Sequence, residues 1–199
     1  GVGLPPGGTY AVFEDADAPG SLFVGTEDGP YLATDGEDFF PVGANWDPLW
    51  GAPVTLYQDP DAPDRIFAIT EASTQHGVPE YEAEESLYPT RSIVRSEDRG
   101  DTWVASTEGV PAESGPLQVL ADPTVDGVYY LATATAGTLR STDGGDSWAP
   151  WNIGLPGPRT GAYGRLHGRP MALSPDGDRI YLGSSGFGLF ERVLASTCE

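Results

Sequence analysis

Apolar residues along this chain fall in short runs, each broken by Asp, Pro, Gly or Ser. Val12-Phe13-Glu14-Asp15 is followed by Ser21-Leu22-Phe23-Val24-Gly25-Thr26, and Leu56-Tyr57-Gln58-Asp59-Pro60 by Arg65-Ile66-Phe67-Ala68-Ile69-Thr70. Val119-Leu120-Ala121-Asp122-Pro123 precedes Val128-Tyr129-Tyr130-Leu131-Ala132-Thr133, and Ala172-Leu173-Ser174-Pro175 precedes Arg179-Ile180-Tyr181-Leu182-Gly183-Ser184. Each unit reads as an apolar strand, a turn, and a second strand rich in β-branched and aromatic residues. The Thr or Ser closing the second strand recurs after 44, 63 and 51 residues. No window keeps apolar residues at i, i+3, i+4 and i+7 beyond two turns, so the pattern predicts an all-β chain.

A further strand pair follows in the same units. Arg95-Ser96-Glu97-Asp98-Arg99-Gly100-Asp101-Thr102-Trp103 matches Arg140-Ser141-Thr142-Asp143-Gly144-Gly145-Asp146-Ser147-Trp148 at an offset of 45. Both fit Ser-x-Asp-x-Gly-x-Ser/Thr-Trp. A degenerate copy runs from Ala33 to Phe40, keeping Asp35, with Phe40 expected in place of the tryptophan. The fourth unit has a third strand, Gly188 to Val193, but no such turn. An Asp side chain can accept hydrogen bonds from the N–H groups of its own turn, and Gly supplies a positive φ. Trp103 and Trp148 then open the outer strand and wedge against a neighbouring sheet.

These units resemble the Asp-box (BNR) repeat of β-propellers, as in sialidases, xyloglucanase-type glycoside hydrolases, sortilin-type receptors and photosystem II assembly-factor propellers. The resemblance covers nearly the whole chain. It implies an all-β propeller of about four blades, a partial or small one, with blades near 9–43, 53–107, 116–152 and 170–195 in a single unit spanning 1–199. An insertion at 71–90 lengthens the second blade. Asp35, Ser96, Asp98, Gly100, Thr102, Trp103, Ser141, Asp143, Gly145, Ser147 and Trp148 are the structural box residues, which the family places away from its active site. Asp-box propellers usually have six to eight blades, so the chain reads as part of a longer polypeptide. A self-contained four-bladed fold and a ring completed by a second copy are the rival readings.

Composition narrows the function. Asp+Glu 30 against Lys+Arg 10 gives a net charge of −20, and all ten basic residues are Arg. Such a chain repels phosphate backbones, so nucleic acid is not an expected partner. No run reaches the ~18–20 apolar residues of a membrane helix. Cys198 is the one cysteine, and His76 and His167 lie far apart, so neither a disulfide nor a metal site is expected. Asp143 to Asp146 lacks the spaced ligands of a calcium loop, and Gly183 to Gly186 lacks a nucleophile elbow. The acidity fits either a high-salt setting or a genome that replaces Lys by Arg.

Three irregular loops are expected on one propeller face, where extra length usually carries function. Trp46 and Trp50, in Ala44–Trp50, form either a sugar-stacking platform or, on the plainer reading, a cap over the first seam between sheets. The 71–90 insertion holds Glu71 and Tyr81 with Glu80, Glu82, Glu84 and Glu85, the last four reading as a solvated charged loop. Arg159, Arg165, His167 and Arg169 fall in a stretch, 147–175, without an acidic residue. They form a cationic dock for a carboxylate-bearing partner or, more plainly, pair with the acidic insertion. The sialidase pattern needs arginines arriving from separate blades and a Tyr–Glu pair, and here the arginines crowd into one loop.

The expected function is therefore a non-enzymatic binding or scaffold propeller without a cofactor. Its site would be extracytoplasmic, and its partner another protein: the exposed face of a membrane complex or further blades of the same polypeptide. The alternative is a fragment of a xyloglucanase- or sialidase-like glycoside hydrolase.

Overall fold

A computed structural model describes residues 3–71, 91–112, 114–152, 170–174, 176–184 and 188–194. The strand patterns form four antiparallel sheets in which chain neighbours pair in order. The first sheet contains β1 (Thr9–Glu14), β2 (Leu22–Thr26), β3 (Gly29–Ala33) and β4 (Phe39–Pro41). A single 3-10 turn, Pro48–Trp50, precedes the second: β5 (Ala52–Gln58), β6 (Ile66–Glu71), β7 (Arg91–Ser96) and β8 (Val104–Ala105). The third holds β9 (Pro116–Ala121), β10 (Tyr129–Thr133), β11 (Gly137–Ser141) and β12 (Ala149–Pro150). Three strands make the fourth, β13 (Met171–Leu173), β14 (Arg179–Ser184) and β15 (Gly188–Val193). The chain is a partial β-propeller. Its described residues divide into two compact units, Gly1–Ala105 and Ser106–Glu199, each holding two sheets.

The same local chemistry turns the chain in every sheet. Asp15, Asp59 and Asp122 end the first strands with buried side chains. Their Oδ1 atoms accept from the N–H groups of Asp17, Asp61 and Thr124 at 3.0, 2.9 and 2.9 Å. In the fourth sheet the Ser174 hydroxyl replaces the carboxylate and accepts from the Arg179 N–H. The three Asp bonds are Asx-turns, whereas the Ser174 bond spans the whole turn to the start of the next strand. In the first and third sheets the threonine closing the second strand likewise binds the next turn with its side chain. Thr26 Oγ1 donates to the Gly29 carbonyl and accepts from the Asp28 N–H, as Thr133 does with Gly137 and Ala136.

β10 is buried along its whole length, and β6 is buried except for Glu71. Strands covered on both faces read as continuous rather than alternating apolar runs, as these sequences do. In the first unit the core joins Phe23, Leu56, Ile66, Ala68, Val94 and Trp103 from both sheets. In the second it joins Leu117, Val128, Tyr130, Met171, Ile180 and Leu182.

The register corrects one expectation. Leu32 pairs with Phe40 as Arg95 pairs with Val104, so Phe40 occupies the place of Val104 and not of Trp103. Phe40 is 52% exposed and Val104 49%, whereas Trp103 is 1% exposed. The first-sheet turn is one residue shorter, and this shifts half-buried Phe39 into the tryptophan position.

Candidate functional site

The two tryptophan corners build from the same bonds. Ser96 Oγ donates to Asp98 Oδ1 at 2.8 Å and accepts from the Gly100 N–H at 2.8 Å. Asp98 Oδ1 also accepts from the Thr102 N–H, and Oδ2 from Thr102 Oγ1 at 2.6 Å. Ser141, Asp143, Gly145 and Ser147 repeat this set atom for atom. Both turns need two successive left-handed residues. These are Arg99 (φ 56°) and Gly100 (φ 88°) in one, Gly144 (φ 77°) and Gly145 (φ 88°) in the other.

The electrostatics follow from the bonds. Donation from the Ser147 hydroxyl and N–H and from Ser141 draws the Asp143 carboxyl down to about 2. Burial alone would raise Asp98, but the bonds from Thr102 and Ser96 outweigh it and hold it below the usual range. In the first sheet Asp35 accepts from the N–H groups of Glu37 and Asp38 and is likewise lowered. All three stay ionised at neutral pH, with their oxygens turned toward their own hairpins.

The tryptophans complete the corners. Trp103 and Trp148 are 1% and 4% exposed. The Trp103 indole N–H donates to the Gly100 carbonyl, and that of Trp148 to the Ser106 carbonyl, each at 2.9 Å. Trp46 stands edge-on to Trp103 at 5.4 Å and to Trp50 at 5.3 Å, packed against the core of the first unit. The Asp47 carboxylate caps the turn that carries Trp50 by accepting from the Leu49 N–H. Tyr81, Arg159, Arg165, His167 and Arg169 lie outside the described residues, as do Glu80, Glu82, Glu84, Glu85 and His76.

Several positions carry weight that the sequence motif does not mark. Asn45 donates to the Trp103 carbonyl and accepts from the Trp103 N–H, both at 2.8 Å. Gln118 does the same with Met171, at 2.9 and 2.8 Å. A side-chain amide has the donor and acceptor of a peptide group, so each acts as a one-residue strand joining two sheets. Arg99 reaches from the second sheet to Asp15 Oδ1 at 2.8 Å, with Asp17 and Asp64 nearby. Burial pushes the Asp15 carboxyl up, but bonds from Gln58, the Asp17 N–H and Arg99 bring it below its usual value. Isolated Asn, Gln and Arg residues have no periodicity, so only the spacing of the corner could have pointed to their neighbourhood.

No family model matches the sequence, and no curated protein matches it. Among solved structures, a GH74 xyloglucanase from Xanthomonas campestris aligns with 93% of the chain at TM-score 0.63 and 18% identity. A GH74 enzyme from Niastella koreensis aligns with 94% at TM-score 0.63 and 18% identity. YCF48 bound to a D1 peptide aligns with 90% at 17% identity, but at TM-score 0.49 the likeness is too slight to weigh. The chain spans 29% and 28% of the two GH74 chains and 48% of YCF48. At these identities the GH74 likeness establishes the propeller fold and nothing finer.

Proposed function

We propose that this chain forms blades of an Asp-box binding or scaffold propeller that works outside the cytoplasm and performs no catalysis itself. One observation carries the reading. Asp15, Asp35, Asp98, Asp143 and Asp176, the described carboxyls displaced from their ordinary range, are all displaced downward by hydrogen-bond donors or Arg99. A glycosidase needs one carboxyl raised so that it can deliver a proton. Carboxylates held ionised by their own turns serve as hairpin locks. The partner in this reading is another protein, either a separate subunit or further blades of a longer polypeptide.

The second reading is a fragment of a glycoside hydrolase, favoured by the alignment of 93% of the chain with a xyloglucanase. Turnover of xyloglucan and of sialosides by the purified chain separates the two. The binding reading expects no hydrolysis. Measurable hydrolysis that disappears in Glu80→Ala or Asp47→Ala sinks it in favour of the enzyme.

A further inference from the structure

In a chain of charge −20, an arginine ordinarily finds a carboxylate. Among the described residues Arg65, Arg91, Arg95, Arg99 and Arg179 do so. Arg140 and Arg192 form no ion pair with any described residue.

The repeat explains the difference. Arg95, Arg140 and Arg192 hold one register position, opposite the second residue of the neighbouring strand: Phe67, Tyr130 and Ile180. Two residues beyond Arg95 stands Glu97, whose Oε1 lies 3.1 Å from the Arg95 Nε. At the same step after Arg140 and Arg192 the sequence has Thr142 and Leu194. The internal counter-ion is present in one sheet and absent from the next two.

Both arginines border one aromatic pair in the second unit. The Tyr130 and Trp151 rings lie 4.5 Å apart. Arg192 stacks its Cζ 3.6 Å from the Trp151 centroid, and Arg140 Cζ is 6.0 Å from that of Tyr130. Arg140 Nε and Arg192 Nη1 are buried without an acceptor among the described residues. Asp122, the carboxylate on the Tyr130 side, already accepts from the Tyr130 hydroxyl, the Thr124 hydroxyl and the Thr124 N–H. Burial, with the charge of Arg140 nearby, lowers Arg192. Buried guanidinium N–H groups without acceptors are costly and uncommon, and a two-oxygen anion matches their planar fork.

We propose that the seam between the third and fourth sheets is a carboxylate-binding site, with Arg140 and Arg192 as its two arms and the Tyr130–Trp151 pair as its floor. The Trp151 face is taken by Arg192, so the ligand is recognised by its charge and fork geometry and not by ring stacking. The site stands apart from the choice between scaffold and hydrolase.

The test titrates the purified chain with succinate against sodium chloride at matched ionic strength, following arginine Nε–Hε resonances by NMR. The Arg140 and Arg192 signals should shift together and saturate at one midpoint while Arg95 stays still. Parallel drift of all arginines, or an equal response to chloride, overturns the site. Arg192→Gln and Arg140→Gln should each weaken binding by about tenfold or more, and Arg95→Gln should not. Unchanged affinity in both seam variants also overturns it. A capped peptide with one internal Glu separates the sources. Tighter binding than succinate assigns the carboxylate to a polypeptide, weaker binding assigns it to a small acid, and failure of both ligands refutes the site.

Discussion

The corners ending at Trp103 and Trp148 share the bonds among their Ser, Asp, Gly and Thr/Ser residues yet are covered by different means. Over Trp103 lies a side-chain cover, with the Asn45 amide on its backbone and the Trp46 ring edge-on to its indole. Over Trp148 the cover is mainly backbone, since its N–H donates to the Glu108 carbonyl and its indole to the Ser106 carbonyl, with the Ser106 hydroxyl donating to the Gly145 carbonyl. Both covers need a left-handed glycine. A Cβ on Gly43 (φ 81°) would press on the Trp103 ring, and one on Gly109 (φ 75°) would collide with the Trp148 carbonyl. The difference separates what the hairpin needs from what the seam needs. The Ser-x-Asp-x-Gly turn is a fixed local device, whereas the contact that docks it accepts any donor–acceptor pair of peptide-like shape.

The largest effect should come from the wedges themselves. Trp103→Ala and Trp148→Ala each remove a nearly fully buried indole, which costs about 3–5 kcal/mol. Urea unfolding of both variants checks this. If the hairpin and not the wedge held the seam, either loss would fall within about 0.5 kcal/mol, the size of a surface change.

Next comes Asn45→Ala. It strips an acceptor from the Trp103 N–H and a donor from its carbonyl in a half-buried setting, a cost of about 1–3 kcal/mol. The Trp148 N–H is bonded to the Glu108 carbonyl and not to a side chain, so no single truncation strips it in the same way. A comparable loss of hydrogen-exchange protection at both tryptophan amides in Asn45→Ala would contradict the division of covers drawn above.

These corners also show what the sequence could and could not disclose. Ser, Asp, Gly and Trp recur at fixed spacing because the bonds among them are local, so a pattern search finds them. The strand pairs were legible for the same reason, through apolar runs punctuated by Asp and Pro. Asn45 and Gln118 act on backbone 58 and 53 residues away, and nothing in their immediate neighbours marks that. The first-sheet corner misled by one residue, because a shorter turn preserves the Asp while moving each aromatic along by one. The arginines at 95, 140 and 192 look alike in register, and only the ion pairs show that, among the described residues, the first alone is matched to a glutamate.

A smaller effect tests the left-handed position. Blade two holds Arg99 at φ 56° where blade three has Gly144. The strain, about 1 kcal/mol, is tolerated because the guanidinium reaches Asp15, whose side chain is only 5% exposed. Arg99→Gly relieves the strain but leaves Asp15 to Gln58 and its own turn. Because Arg99 is 37% exposed, solvent softens the lost pair, and a net loss of about 1 kcal/mol is expected. Thermal melting should therefore show Arg99→Gly less stable than the parent. A gain would mean that the ion pair contributes less than the strain.

The smallest effect lies in the box carboxylates, and pH isolates it. The Asp143 carboxyl is lowered to about 2 in the folded chain, against ~3.9 for an unfolded Asp. Its contribution is present above pH ~4 and disappears as pH falls through ~2, because the unfolded chain takes up the proton first. Asp98 is lowered as well, so it loses its contribution in the same direction. Both carboxylates are exposed, which limits each contribution to less than about 1 kcal/mol. Asp143→Asn should flatten the stability curve between pH 4 and pH 2, and Asp98→Asn should do so to a similar or smaller degree, since burial opposes its lowering. Because the bonds to the carboxylate are the same in both corners, a large acid response in one variant with none in the other would show that the seam, and not the hairpin, sets the charge state.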